Sequence, residues 1–476
     1  ASRGLGDVYK RQVGDEDQSI YGFRAAYPEA LLTFEKNYPD AKVLLMEENF
    51  RSDARIVLAA DRFIQKNTLR HEKHMKAARK PASDIREISL RSRKAQYTYL
   101  AKLAEGCTSQ TAILYRDNEC ILPLVDLLER NGIPYQMRNA ELSFFSHRTI
   151  LDIINIIKLA QNPMDTEAFL QIYYKIGTYL RKQDAIRIAR ISEEKRIPVL
   201  DVAAEDPDLN GHVLGSVRSM RTHLQNLLQD SGERALYRIM QYMGYQEYLN
   251  RSGLSDSKLE ILRILGSRAD SPMELAERLE QLKVLIREKE PDRKCPLILS
   301  TIHASKGLEY DSVYLIDVAD GILPESIPQN LHQASAEELK AYEEERRLFY
   351  VGVTRAKDHL TLFTTNRPST FCSEFLGKSS VTEEGRKNLM PVESRISRTF
   401  KQARPYAAVA GIRQTKASEE LYFRLKEELG TGVIVEHKKY GEGVVTQLDD
   451  RLVHIMFQDD TLRMMDLKIL ANAGLL

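Results

Sequence analysis

Four short strings in this chain carry residue types suited to phosphate and nucleic-acid chemistry. In the first, VGDEDQSIYGFRAA (residues 13–26), a Gly-Asp turn leads to Gln18. Its amide both donates and accepts, so it can bridge a phosphate and a neighbouring group. Tyr21 and Phe23 offer π faces to unpaired bases, with Arg24 as a cation beside them; equally, the two rings can be core residues next to a turn. The second string, EENFRS (47–52), sets Arg51 beside Phe50 at a strand end. There a guanidinium can clamp a phosphate through two N–H groups or pair with a surface carboxylate. The third, STIHASKGLEYDSVYLID, ends at Asp317. Gly307, among small residues, permits close backbone approach to a ligand. Glu309 can accept from a sugar hydroxyl, and His303 projects from the turn, as a structural histidine also would. The fourth, EEERRLFYVGVTRAKDHLTL (343–362), places Arg346, Arg347, Tyr350 and Arg355 at helical offsets. A solvated charged helix explains the glutamates. It does not explain Arg355 behind the apolar run Phe349–Val353, where a buried guanidinium must meet a counter-charge. A phosphate supplies one.

The rest of the chain must position these strings. Its 476 residues suggest three domains at about 150 residues each. Lys and Arg number 69 and Asp and Glu 68, so the +1 balance steers the protein to no partner, and any nucleic-acid contact rests on local patches. No apolar run approaches the roughly 20 residues that span a bilayer, and residues 1–30 contain no secretory core, so a cytoplasmic protein without membrane contact is expected. Cys107, Cys120, Cys295 and Cys372 are scattered and form no C-x-x-C pair, which argues against a zinc site or a disulfide framework. Tryptophan is absent, so stacking falls to Phe, Tyr and His.

Residues 1–12 (ASRGLGDVYKRQ) read as a non-native leader. Pro28 opens a helix to about Tyr38, Ala41–Met46 reads as a short apolar strand, and Ser52 as the N-cap of a helix burying Ile56, Val57, Ala60 and Phe63. Thr111–Tyr115 is a buried strand, Cys120–Asn131 a helix and Ile150–Leu159 a core helix. Residues 163–285 show helical patterns nearly free of strand signals. Strand–turn–helix alternation returns at Leu297–Ile302, Ser312–Asp317, Ala336–Val353 and Leu360–Thr364, which implies a parallel α/β sheet interrupted by an all-helical insertion. Residues 373–430 are linker-like, and within them Arg386–Lys416 holds eight basic residues against one Glu. Such a run is a solvated segment or an arm that touches phosphates. Four short strands between Val433 and Met465 suggest a small SH3-like barrel.

In this order the four strings resemble the UvrD/PcrA/Rep family of superfamily 1 DNA helicases, over most of residues 13–370. AILYRDN (112–118) and the GIPY…FF stretch within 132–145 add to the likeness. The resemblance implies RecA-like parallel-sheet motor domains and ATP-dependent 3′ to 5′ movement on single-stranded DNA, with duplex unwinding in repair or replication. It implies a remnant of a first motor domain at 13–55, a second at 56–162 and 286–372, an insertion at 163–285, a linker at 373–430 and a terminal module at 431–476. Gln18 then senses the γ-phosphate, and Arg51 and Arg355 are the two arginine fingers. Phe50 takes the place of an adenine-stacking aromatic, usually Tyr, and Gly307 and Glu309 contact the nucleotide, Glu309 near the ribose. Tyr21, Phe23, Arg24 and His303 face DNA, Phe23 standing where Trp is usual. The family's P-loop and DE-x-x box are not in the chain. The ligands of the Mg²⁺ that accompanies ATP are therefore expected upstream, and the chain alone is expected to be an inactive fragment. Asp15, Glu16 and Asp17 belong to the turn and are not assigned to metal. VEHKKYGEGVV (435–445) resembles the family's terminal Tudor-like module, which implies docking to RNA polymerase or repair proteins. Two alternatives are a non-catalytic DNA- or RNA-polymerase-binding protein and a helicase–nuclease subunit of the AddA/RecB kind; the barrel-like end argues against the second.

Overall fold

The computed structural model describes residues 13–22, 29–138, 143–253, 257–290, 292, 294–331, 333–365, 369–378, 434–437, 441–448, 452–457 and 462–466. The chain divides into two units, residues 1–381 and 382–476.

In the first unit, strands β1 (Glu48–Asn49) and β2 (Lys76–Ala77) form a short parallel pair. Strands β3 (Arg86–Leu90), β4 (Thr111–Tyr115), β5 (Gln136–Met137), β6 (Leu297–Thr301), β7 (Tyr310–Leu315) and β8 (Ala356–Thr365) form one parallel sheet in the order β3-β8-β7-β4-β6-β5. The α/β class with a parallel sheet matches the expectation from sequence. β4 lies centrally, bonded to β6 and β7. All five of its residues are buried, as a parallel strand covered on both faces requires. Its side chains alternate: Ile113 and Tyr115 join a core shared with the helices that follow β5, while Ala112 and Leu114 face Phe63, Phe349 and Phe371.

Between β5 and β6 the described residues form only helices, from Ser143–Ser146 to Pro272–Glu288. Strands on both sides of this run pair in one sheet, with Gln136 opposite Ile298. A buried ion pair fastens the helices: Lys175 Nζ donates to Asp152 at 2.6 Å, and the Tyr245 hydroxyl donates to the other Asp152 oxygen at 2.9 Å. On the opposite face of the sheet, helices Ala54–Ile64, Ala336–Val353 and Thr370–Leu376 meet through Phe63, whose ring lies 4.9 Å from Phe349 and 5.3 Å from Phe371. Helix Ala336–Val353 starts at a capping box in which Ser335 and Glu338 each satisfy the other's backbone N–H. Segment 13–22 joins this face by burying Ile20 in the same core and by donation from Arg347 Nε to the Ser19 carbonyl at 3.0 Å.

Three local expectations are corrected. Residues 41–46 form no strand, and Leu44 and Met46 are 83% and 80% exposed. A strand exists only with a ladder partner for its N–H and C=O groups, and this segment has none among the described residues. The helix expected to Tyr38 breaks at Thr33 into Glu29–Leu32 and Phe34–Asn37. The N-cap of the next helix is Asp53, whose carboxylate accepts from Arg55 N at 2.8 Å; the Ser52 hydroxyl instead donates to the Ala356 carbonyl at 2.6 Å.

The second unit contains strands β9 (Ile434–His437), β10 (Gly441–Leu448), β11 (Leu452–Phe457) and β12 (Leu462–Asp466), antiparallel neighbours in chain order, with a register shift between Val445 and Gln447. Val453 and Ile455 are buried. The basic run 386–416 lies outside the described residues. Among the described residues no helix is long and apolar enough to cross a membrane.

Candidate functional site

Neighbouring strands β7 and β8 begin at Tyr310 and Ala356, and the residues just before them carry Glu309 and Arg355. The Arg355 carbonyl accepts from Tyr310 N at 2.9 Å, which fixes the two strand starts side by side. Residues 51–53 dock on the same edge. Arg51 Nη1 donates to the Thr354 carbonyl at 3.4 Å, and Asp53 N to the Lys357 carbonyl at 2.8 Å. Three strings distant in sequence thus meet where a parallel sheet begins.

Arg355 is 1% exposed. Its Nε donates to the Val351 carbonyl at 2.9 Å and Nη1 to the Leu308 carbonyl at 3.1 Å; Nη2 donates to Gln18 Oε1 at 3.3 Å and to Thr354 Oγ1 at 3.2 Å. Every one of these acceptors is neutral, and among the described residues no carboxylate pairs with it. Burial, followed by the nearby Arg51 charge, pulls its pKa down to about 10. A buried cation held this way makes Arg355 a candidate anion contact, since a phosphate oxygen would supply the missing charge.

Gln18 closes the short helical turn Glu16–Gln18. Its amide nitrogen donates to Asp15, so its carbonyl must face Arg355. The acidic turn is itself neutralised. Asp17 takes Arg70 at 3.0 and 2.9 Å, and Lys73 lies 2.8, 3.1 and 3.2 Å from Asp15, Glu16 and Asp17. Burial opposes the charge on Lys73, but Asp15 and Asp17 outweigh it and raise its pKa. Carboxylates saturated by Arg and Lys do not fit a divalent cation.

Arg51 Nε donates to Glu309 Oε2 at 2.8 Å, so the surface Arg–Glu pair open from sequence is present, with a partner 258 positions away. Lys357 Nζ lies 3.2 Å from Glu309 Oε1. Donation from Arg51 and then Lys357 holds Glu309 below the usual carboxylate range. Phe50 beside them is 70% exposed. Gly307 has φ +85°, and a Cβ there would meet nothing within 4 Å. Gly307→Ala should therefore cost about 1 kcal/mol through backbone strain alone, with no steric clash, as urea unfolding would read.

Tyr21 and His303 form a second group. The Tyr21 hydroxyl donates to the His303 carbonyl at 3.0 Å, and the rings lie 5.9 Å apart. Lys306 Nζ stands 5.2 Å over the Tyr21 ring, a cation–π distance. Burial and then Arg116 push the His303 pKa down, favouring the neutral ring. Phe23 and Arg24 lie outside the described residues. The structure therefore brings Gln18, Arg51, Glu309 and Arg355 together, with Phe50 and Gly307 alongside, and sets Tyr21 against His303. Lys357 and Lys306 were not foreseen. Their place directly after Arg355-Ala356 and directly before Gly307 was the available signal. Arg346, by contrast, is structural, paired with Glu374 and stacked on Phe63 and Phe371.

The candidate site is thus framed by a parallel α/β sheet whose strand starts gather two arginines and a glutamine. Residues 44–367 match the UvrD-like helicase C-terminal domain, and residues 10–39 match the UvrD/REP helicase N-terminal domain. The chain belongs to the UvrD-like helicase family. It is similar to the ATP-dependent DNA helicase PcrA of Staphylococcus epidermidis, with 27% identity over 474 residues, 92% of this chain and 62% of that protein. It is 29% identical to the ATP-dependent DNA helicase Rep of Escherichia coli over 394 residues, 76% of this chain and 56% of that one. The YjcD protein of Bacillus subtilis is 30% identical over 367 residues, 74% of this chain and 47% of YjcD. The chain thus spans between 47% and 62% of the length of these relatives.

Proposed function

We propose that this chain forms the nucleotide-sensing and strand-gripping part of an ATP-dependent DNA helicase that moves 3′ to 5′ along single-stranded DNA. The observation that carries the reading is Arg355, a buried guanidinium touching Gln18 and lacking a carboxylate partner among the described residues. In this reading the six-stranded sheet is a RecA-like motor domain. Arg51 and Arg355 stabilise charge on the transferring phosphoryl group, as preorganised cations in a water-poor site do. Gln18 links the γ-phosphate to Arg355, Gly307 admits the nucleotide and Glu309 stands near the ribose. Mg²⁺ accompanying ATP would supply further neutralisation of phosphate charge, and the Arg- and Lys-saturated carboxylates of the 15–17 turn would not hold it. Tyr21 and His303, with Phe23 and Arg24, hold the strand by stacking and phosphate contact. Strands β9–β12 serve as an SH3/Tudor-like docking module for RNA polymerase or a repair protein.

Phe50 stacks on adenine in this account. Phe50→Ala should weaken ATP by about 1–3 kcal/mol, the usual worth of one base on an aromatic ring. The thermal midpoint should stay unmoved, because the ring is already 70% exposed. Calorimetric titration and a melting scan would check both. The proposal itself is tested by strand displacement with the gene product that contains this chain. ATP-dependent unwinding of 3′-tailed but not 5′-tailed duplexes is expected. Absence of DNA-stimulated ATP turnover would overturn it.

A further inference from the structure

The Arg51 side chain is held at two points. Its Nε donates to Glu309 Oε2 at 2.8 Å and its Nη1 to the Thr354 carbonyl at 3.4 Å. Its Nη2 has no partner among the described residues, so one corner of the fork stays available to an anion. An isolated pair of half-exposed side chains would hold this aim poorly, because exposed ion pairs are weak and both partners are mobile. Here a third group is built in. Lys357 Nζ lies 3.2 Å from Glu309 Oε1, the oxygen that Arg51 does not use, and 3.7 Å from Asp311. The same lysine's carbonyl accepts from Asp53 N at 2.8 Å and from Arg79 Nη1 at 3.2 Å. Arg79 Nη1 also donates to the Arg51 carbonyl, and its Nη2 pairs with Asp358 at 2.5 Å. One residue therefore anchors the backbone that carries Arg51 and steadies the carboxylate that aims its guanidinium.

We propose that Lys357 is a positioning residue for Arg51, acting through Glu309, and that Glu309 serves chiefly to orient this arginine toward the phosphoryl group. The inference rests on the nucleotide reading above and deepens it. Both Glu309 oxygens are committed to cations, so its contribution falls on Arg51 more than on a sugar hydroxyl. Loss of Lys357 leaves Glu309 with one partner and lets the Arg51 fork swing.

The test uses the complete gene product containing this chain, with K357M, K357R, E309Q and R51A. K357M should lower kcat for DNA-stimulated ATP hydrolysis by roughly tenfold to a hundredfold, the range expected when a catalytic group shifts by about an ångström. KM should change little, since the interaction is made mainly in the transition state. K357R, which keeps the charge, should recover most of the loss. E309Q should impair ATP and 2′-deoxy-ATP in equal proportion. As a readout independent of turnover, K357M should weaken binding of ADP with aluminium fluoride by the same factor as kcat while leaving ADP alone unchanged. A K357M protein with wild-type kcat and analogue affinity, beside an impaired R51A, would overturn this inference and leave the nucleotide reading intact. So would an E309Q defect confined to ATP over its 2′-deoxy form. A wild type that neither hydrolyses ATP nor binds the analogue, or an R51A that behaves as wild type, would remove the nucleotide reading itself. Should K357M melt early, K357Q read against K357R decides the same question.

Discussion

Arg355→Ala is expected to cut DNA-stimulated ATP turnover by about 10³-fold or more, the usual worth of an arginine that stabilises a transferring phosphoryl group. Affinity for single-stranded DNA should barely move, because the strand contacts proposed above are Tyr21 and His303, whereas the Arg355 side chain donates to Val351, Leu308, Gln18 and Thr354. Arg355→Lys should fail almost as badly. A lysine cannot reproduce the fork that reaches Val351, Leu308 and Gln18 together. Stability separates this account from a structural one. Arg355 is buried without a carboxylate, and its lowered pKa says that the fold disfavours its charge. Arg355→Met should therefore change the unfolding free energy by no more than about 1–2 kcal/mol, the cost of a few lost bonds to carbonyls, set against relief of an unpaired charge. Paired ATPase and urea-unfolding measurements on the same preparations would read both effects. Turnover within tenfold of wild type would remove the arginine-finger role.

The second large effect concerns stability. Arg93 donates to Asp317 through Nε at 2.9 Å and Nη2 at 2.6 Å, and also reaches Glu260 at 3.1 Å in the helical region. Burial opposes the charge on Arg93, but Asp317 outweighs it and raises its pKa. Asp317 follows β7 at φ +57°, a left-handed conformation that favours glycine. Gln96 fixes it from both sides, accepting from Asp317 N at 3.0 Å and donating to its carboxylate at 2.9 Å. Arg93→Met would strand a buried carboxylate and should cost about 3–5 kcal/mol. The double variant R93M/D317G removes the stranded charge and the strained backbone together, so it should recover much of that loss. Urea titration of the wild type and the two variants checks both the loss and its recovery. A loss below about 1 kcal/mol for Arg93→Met would show that water reaches Asp317 and screens it.

What could be read in advance follows from the range of the forces involved. β4 was legible because five residues buried on both faces must be apolar or small, and Thr111–Tyr115 is such a run. Helix Ala336–Val353 lies where its charged run placed it, and its start is marked locally by Ser335 and Glu338. The motif strings named Gln18, Arg51, Glu309 and Arg355, which the structure brings together. They could not say how those groups are held. The Arg51–Glu309 and Arg93–Asp317 pairs span 258 and 224 positions, and only the strand order brings their partners together. The same limit explains the errors. Ala41–Met46 has strand composition, but a strand is a property of two segments, and none of the described residues pairs with it. Ser52 and Asp53 are both capable caps, and the choice fell to Asp53 because the Ser52 hydroxyl is drawn to Ala356, 304 positions away.

The most direct measurement is a crystal structure of the complete gene product with ADP, Mg²⁺ and aluminium fluoride. The account predicts Arg51 Nη2 and Arg355 Nη2 both within hydrogen-bond reach of the fluoride ligands, with Gln18 still touching Arg355 and Lys357 still on Glu309. A phosphoryl mimic seated elsewhere, with Arg355 bonded only to the Val351 and Leu308 carbonyls, would contradict it.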